Sequence, residues 1–144
     1  MFSKACEHGI KAVIYIATRS LEGKRVKIDD VAENTGTPEA YTGKVLGLLT
    51  RHNIVQSLTG PSGGFEMDVN KIKQVKVIDI VRAIDGDAVY SDCALGLSSC
   101  DDDDPCPMHD KFSGWRGGFK KMLETTTVAA LATKLQSGQT TLIR

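Results

Sequence analysis

The sequence predicts a mainly helical chain carrying one small β-hairpin. Two observations predict it. Apolar residues recur at three- and four-residue spacing in several separate stretches. Between Ile54-Val55-Gln56-Ser57-Leu58 and Gly64-Phe65-Glu66-Met67 lies Thr59-Gly60-Pro61-Ser62-Gly63, a run of breakers that suits only a hairpin loop. At 144 residues and 15.5 kDa the chain fits one domain with one core, with room for an extension used in assembly.

Each element has its own signal. Ile10, Val13, Ile14 and Ala17 define a helix over residues 7–21. A second, short helix is expected over 28–35, with Asp29, Asp30 and Glu33 toward the positive end of its dipole and Val31 and Ala32 inward. Gly36 follows, free to take a positive φ. Thr37-Pro38-Glu39 then reads as a helix start, with Thr37 as N-cap and Pro38 in the first turn. That helix runs to about Arg51 and buries Val45, Leu48 and Leu49. After the hairpin, Val77, Ile80, Val81 and Ile84 mark a helix stopped by Asp85-Gly86, with Lys76 a poor cap. Residues 87–107 have no period and read as loop. A helix is expected over 108–124 despite Gly114, Gly117 and Gly118, which cost about 1 kcal/mol each against Ala. A last helix spans 127–135, and 136–144 should fray.

Charge is segregated. Eighteen Lys and Arg balance eighteen Asp and Glu, but residues 85–110 carry eight aspartates and no Lys or Arg, while 111–144 carry six basic side chains and one acidic. The ordinary composition, 41% hydrophobic and 25% charged, excludes collagen-like and wholly disordered classes. No run approaches the roughly 20 apolar residues of a membrane span. Glu7 and His8 stand where a signal peptide would turn apolar. A cytoplasmic protein without a membrane partner is expected. An enzyme is not: there is no Gly-rich nucleotide loop and no Ser/His/Asp arrangement.

A short helix, a glycine turn and a longer helix make a helix-turn-helix, and a Gly-tipped hairpin directly afterwards makes it winged. The second helix of such a unit fits the major groove of double-stranded DNA, and the wing lies along the backbone or minor groove. The candidate base readers are Thr37, Glu39, Tyr41, Thr42 and Lys44. The candidate backbone contacts are Lys24, Arg25, Arg51 and the wing tip Thr59, Gly60, Pro61, Ser62 and Gly63.

The order of motifs resembles the Rrf-two family of bacterial transcription regulators. The resemblance rests on Met1-Phe2-Ser3-Lys4, Val31-Ala32-Glu33, Ala40-Tyr41, Gly60-Pro61-Ser62-Gly63-Gly64-Phe65, Ile80-Val81-Arg82-Ala83-Ile84-Asp85-Gly86 and a later cysteine cluster, and covers roughly residues 1–135. It implies a homodimer on a palindromic operator. The implied units are a winged helix-turn-helix domain (1–86), a cysteine-rich loop (87–107), and a long dimerisation helix with its tail (108–144). The chain departs from the family at Thr59, where Arg is frequent, and at Gly43, where the IscR type has Glu.

Cys93, Cys100, Cys106 and His109 form C-x6-C-x5-C-x2-H. In a cytosolic chain this points to metal or redox chemistry rather than disulfides. Three thiolates and an imidazole suit an iron–sulfur cluster or tetrahedral zinc, and the absence of a paired C-x2–4-C knuckle favours the cluster. The resemblance implies His109 as fourth ligand of an IscR-type two-iron two-sulfur cluster (2Fe-2S). In the NsrR type the fourth ligand comes from the position of His8 and the cluster is a four-iron one (4Fe-4S). Cys6 reads as a free, buried thiol. The run Asp101-Asp102-Asp103-Asp104 reads as a solvated loop whose charge would lower a cluster's potential. The alternative is a cluster-free regulator of the same fold, controlled by a partner protein or thiol oxidation.

Overall fold

The computed structural model describes residues 2–144, so Met1 of the family-like start lies outside the described residues. Helix α1 (Lys4–Leu21) is the central element and starts three residues earlier than its apolar spacing suggests. The reason is Ser3, whose hydroxyl accepts from the Cys6 amide as an N-cap and whose backbone N–H donates to Asp85 at 3.0 Å. From Ala12 to Thr18 every residue of α1 is buried, because neighbours pack around it on several sides.

Helices α2 (Ile28–Thr35) and α3 (Glu39–Arg51) form the expected pair on α1. Gly36 joins them at φ 65°, the left-handed conformation that a Cβ disfavours. Two details differ from expectation. Pro38, not Thr37, caps α3, and the Thr37 hydroxyl turns inward to the His8 Nδ1 at 2.9 Å. Leu46 joins Val45 and Leu49 in the core in place of Leu48, which is only half-buried.

Strands β1 (Gln56–Leu58) and β2 (Gly64–Glu66) pair antiparallel, with Gln56 opposite Glu66 and Leu58 opposite Gly64. Phe65 also exchanges both backbone hydrogen bonds with Val26, at 3.1 and 2.7 Å, which pins the hairpin to the α1–α2 connection. Gly64 makes this possible: a Cβ there would stand 2.6 Å from the Val26 carbonyl oxygen.

Helix α4 (Val69–Gln74) is one the sequence pattern does not announce, since only Ile72 of its six residues is buried. Helix α5 (Val77–Ile84) follows as expected, and the Asp79 carboxylate accepts from the Lys76 amide in place of a capping hydroxyl. Inside the expected loop a single helical turn forms, α6 (Ala88–Ser91), because Tyr90 buries its ring and bonds Arg82 Nε at 2.9 Å and the Asp87 carboxylate.

Helix α7 (His109–Thr125) lies on α5 and α6 and is anchored by Leu123, its one buried residue. A smaller core of Cys6, Val77, Ile78, Val81, Tyr90 and Leu123 holds it. Its other large side chains form a ladder on the surface. Phe112 meets Trp115 edge-on at 6.0 Å, Trp115 stacks on Phe119 at 5.2 Å, and both Trp115 and Met122 are 46% exposed.

Helix α8 (Val128–Gln136) returns to the main core against α1, through Val128 and Ala132. The tail beyond it does not simply fray: Leu142 packs against the main core, since an apolar side chain gains by covering the groove between Tyr15 of α1 and Asn34 of α2. Among the described residues no helix is long and apolar enough to cross a membrane.

Candidate functional site

Two regions draw together the residues that carry chemistry. The first joins the wing to the start of α3. One groove is lined by Lys27, Ile28, Glu39, Gly60, Gly63 and Phe65 among others, which places the wing tip beside the first turn of α3. A second groove holds Lys24, Arg25, Lys27, Pro61, Ser62 and Gly63. Arg25 braces the wing: its Nε donates to Glu66 at 2.9 Å and its Nη1 to the Ser62 carbonyl at 3.3 Å. Lys27, exposed and lining both grooves, is a residue the sequence reading missed. Its signal is a charge two residues beyond the candidate pair Lys24-Arg25.

The expected DNA contacts divide by exposure. Lys24, Arg25, Glu39, Lys44, Arg51, Thr59, Gly60, Pro61 and Ser62 are exposed, and Tyr41 is half-buried beside His8, ring to ring at 5.2 Å. Thr37 and Thr42, expected among the base readers, are buried at 6% and 2% exposure. Their hydroxyls are committed within the protein, Thr37 to His8 and Thr42 to the Pro38 carbonyl at 3.0 Å. Gly63 is buried too, so close to the preceding strand that a Cβ there would stand 2.2 Å from the Leu58 carbonyl oxygen. Arg51 stands at the far end of α3, roughly 18 Å along the axis from Glu39 at 1.5 Å per residue.

The second region is the loop between α6 and α7. It brings Cys93, Cys100, Cys106 and His109 together as two pairs. Cys93 Sγ and Cys106 Sγ lie 3.8 Å apart, and Cys100 Sγ faces His109 Nδ1 at 3.5 Å. Among the described residues no three His, Cys, Asp or Glu side chains gather around one point that could hold a metal ion. The donors thus stand two and two.

Each pair has support. The backbone amides of Leu97 and Leu95 draw the Cys93 pKa below the ordinary thiol value, with smaller help from Cys106 and Arg116, against a desolvation that raises it. The other ring nitrogen of His109, Nε2, sits 2.9 Å from the Asp102 carboxylate. Arg116, on α7, donates from Nη2 to Cys100 Sγ at 2.8 Å. Of the acidic run, Asp101 also has a local duty, accepting from the Asp103 and Asp104 amides. All four aspartates are exposed.

His8 lies elsewhere. Its ring is held between Thr37 and Tyr41, and burial, followed by the Lys11 charge, pushes its pKa down. Cys6 is fully buried, and its thiol is pushed up to about 12 by burial and then by Asp85.

The profile of the Rrf2 family, described as an iron-dependent transcriptional regulator, matches residues 2–134. The chain belongs to the Rrf2 family. It is similar to an HTH-type regulator sequence of Aquifex aeolicus, 27% identical over 134 residues that cover 91% of this chain and 90% of that one. It is 28% identical over 102 residues to the regulator IscR of Pectobacterium atrosepticum, covering 71% of this chain and 60% of the relative. In structure it resembles CymR, the global cysteine regulator of B. subtilis, with a TM-score of 0.75 and 20% identity over 92% of this chain and 96% of that one. T. potens IscR gives a TM-score of 0.73 at 18% identity, covering 97% and 91%. These neighbours establish the winged-helix fold of the Rrf2 regulators. The family and the relatives are transcription regulators, not enzymes.

Proposed function

We propose that this Rrf2-family regulator binds a palindromic operator in double-stranded DNA as a cytoplasmic homodimer, and that an iron–sulfur cluster on Cys93, Cys100, Cys106 and His109 sets its affinity. The observation that carries the proposal is the two-and-two arrangement of the donors. A single tetrahedral ion needs its donors around one point, whereas a two-iron cluster takes two donors at each metal. Thiols and an imidazole suit that chemistry, and the imidazole has the carboxylate partner that metal-bound histidines usually keep. His109 is favoured over His8 as the fourth ligand because it lies within reach of Cys100 while His8 is engaged by Thr37.

On the DNA side, Glu39, Tyr41 and Lys44 face the groove. Lys24, Arg25, Lys27 and the wing tip Thr59 to Ser62 contact the backbone, with Arg51 at the edge of the footprint. Residues 1–86 form the reading unit, 87–107 the sensing loop, and α7 the dimer helix. The exposed Trp115 and Met122, with the half-buried Phe112 beside Trp115, would close on their counterparts, and a Cβ at Gly114, Gly117 or Gly118 would meet nothing within 4 Å, leaving that surface open to a partner helix. When bound, the cluster supplies one-electron redox chemistry and can be gained or lost with iron supply. The protein's part is to hold the loop at the base of α7, so that a change in the loop alters the spacing of two α3 helices that palindromic half-sites need about 34 Å apart.

The test is anaerobic purification with a visible spectrum and assays of iron, acid-labile sulfide and zinc, followed by operator titration before and after the cluster is removed. About two irons and two sulfides per chain, a spectrum lost in Cys93→Ala, Cys100→Ala and Cys106→Ala, and a changed operator affinity support the proposal. Iron-free protein with unchanged DNA binding overturns it. A second reading, a cluster-free thiol switch, draws on the 3.8 Å contact of Cys93 with Cys106. Operator affinity that responds to peroxide in metal-free protein, and not in Cys106→Ala, favours that reading.

A further inference from the structure

Arg116 has three hydrogen bonds, and they go to two different parts of the sensing loop. Nη2 reaches Cys100 Sγ at 2.8 Å. Nη1 reaches the carbonyl oxygens of Ser91 at 3.2 Å and Asp92 at 2.6 Å, the two residues immediately before Cys93. One planar guanidinium on α7 therefore joins the approach to the first cysteine to the second. No other side chain of α7 bonds to the loop in this way; His109 at its first residue faces inward to Cys100 and Asp102. Arg116 lies two turns further on, next to Trp115 of the exposed ladder.

The chemistry of the guanidinium explains why such a link is directional. It is a rigid fork whose donors lie in one plane, so serving the sulfur and the carbonyls together fixes the orientation of its stem. An N–H donor bonds a thiolate more strongly than a thiol, and a sulfur that ligates a metal keeps its thiolate character. The bond to Cys100 therefore tightens or slackens with what the sulfur carries, and the carbonyl bonds give it a fixed base to pull against.

We infer that Arg116 is the positioning residue that transmits the state of Cys100 to α7, coupling the loop to the helix that carries Trp115. The inference rests on the proposal that Cys100 is a ligand of the sensing site, but the link itself is made by protein atoms alone and is testable without the cluster.

The experiment measures hydrogen exchange by mass spectrometry over residues 109–120 of the full-length protein. It uses wild type, Arg116→Gln and Arg116→Lys, each with and without the cluster, with iron and sulfide measured on every sample. In wild type, loading should slow exchange in this segment several-fold. In Arg116→Gln loaded to the same iron and sulfide, that difference should shrink several-fold, to what ligation of His109 alone leaves at the start of α7. Arg116→Lys should not restore it, because an ammonium keeps the charge but cannot span the thiolate and both carbonyls. A full loaded-to-unloaded difference in either variant overturns the inference. If the wild type takes up neither iron nor sulfide, the functional proposal fails by itself, and a cluster-free cycle decides the link. Cys100→Ala should then speed exchange over 109–120 in the wild-type background and add nothing in Arg116→Gln. Additive effects of the two substitutions overturn the link.

Discussion

His109 is held from both sides: Asp102 meets its Nε2 at 2.9 Å while its Nδ1 looks at Cys100 Sγ across 3.5 Å. The carboxylate thus takes one ring nitrogen and leaves the other turned to the thiol. Asp102 makes this contact while its own side chain stays 94% exposed, as the solvated reading of the acidic run expects.

This relationship separates Asp102 from its neighbours. With the proposed cluster bound on the proposed ligand His109, Asp102→Asn should weaken its retention by about tenfold, the loss typical when the partner of a metal-bound histidine is removed. Asp103→Asn and Asp104→Asn should leave retention nearly unchanged, because neither carboxylate bonds a residue of the proposed ligand set. Chelator challenge, followed by the decay of visible absorbance, checks this. Replacing all four aspartates by Asn should in addition raise the midpoint potential, since less negative charge then opposes reduction. Equal decay rates for Asp102→Asn and Asp103→Asn would remove Asp102 from the site.

Gly63 is the residue on which the wing's shape depends. A Cβ there would lie 2.2 Å from the Leu58 carbonyl oxygen and 2.8 Å from the Thr59 carbonyl carbon, both backbone atoms that cannot swing aside. Gly63→Ala should therefore reshape the hairpin tip, destabilise the fold by about 1–3 kcal/mol, and weaken operator binding further. Thermal unfolding and DNA titration measure the two effects, and a wild-type melting curve would show that the tip tolerates a side chain.

Of the four thiols, Cys6 should be the inert one. It is fully buried and its pKa is raised to about 12, so at neutral pH it is neither reachable nor ionised. Iodoacetamide on native metal-free protein at pH 7.5, read by mass spectrometry, should label the loop cysteines and spare Cys6 until the chain is unfolded. Early labelling of Cys6 would contradict the packing of α1 on α5.

His8 gives the fold a pH dependence of known sign. Its pKa is lowered by burial and then by Lys11, so the folded state favours the neutral ring. Its contribution is fully present above the unfolded value near 6.5 and is lost as pH falls through the lower folded value. Protonation puts a proton on both ring nitrogens and so alters the 2.9 Å contact between His8 Nδ1 and the Thr37 hydroxyl just before α3. Melting temperature should therefore fall between pH 7 and pH 5 by more in the wild type than in His8→Gln. Parallel pH profiles would show that His8 does not titrate against the fold.

Much of this fold is legible in local chemistry. The 3.6-residue spacing of Ile10, Val13, Ile14 and Ala17 announces α1, and Gly36 takes the left-handed turn expected of it. The hairpin follows from its breakers, and the cysteine spacing singles out the four side chains that the loop brings together as two pairs. Helix α4 escapes because six residues with one buried side chain carry no period. Thr37 is misread as a cap because Ser, Thr, Asp and Asn signal helix starts in general, whereas here α1 supplies a better partner in His8.

What the sequence determined by itself is the set of local decisions: roughly where most helices lie, where the chain turns, and which thiols and imidazole share one loop. Those depend on neighbours within a few residues, whose geometry the backbone imposes. Only the tertiary structure decided which distant groups meet. Arg116 on Cys100, Asp102 on His109, Phe65 on Val26 and Leu142 on the α1 core are pairings set by packing. Hydrogen bonds reach about 3 Å and apolar contacts about 4 Å, so a residue's spacing along the chain says little about its partner once the chain has folded back on itself.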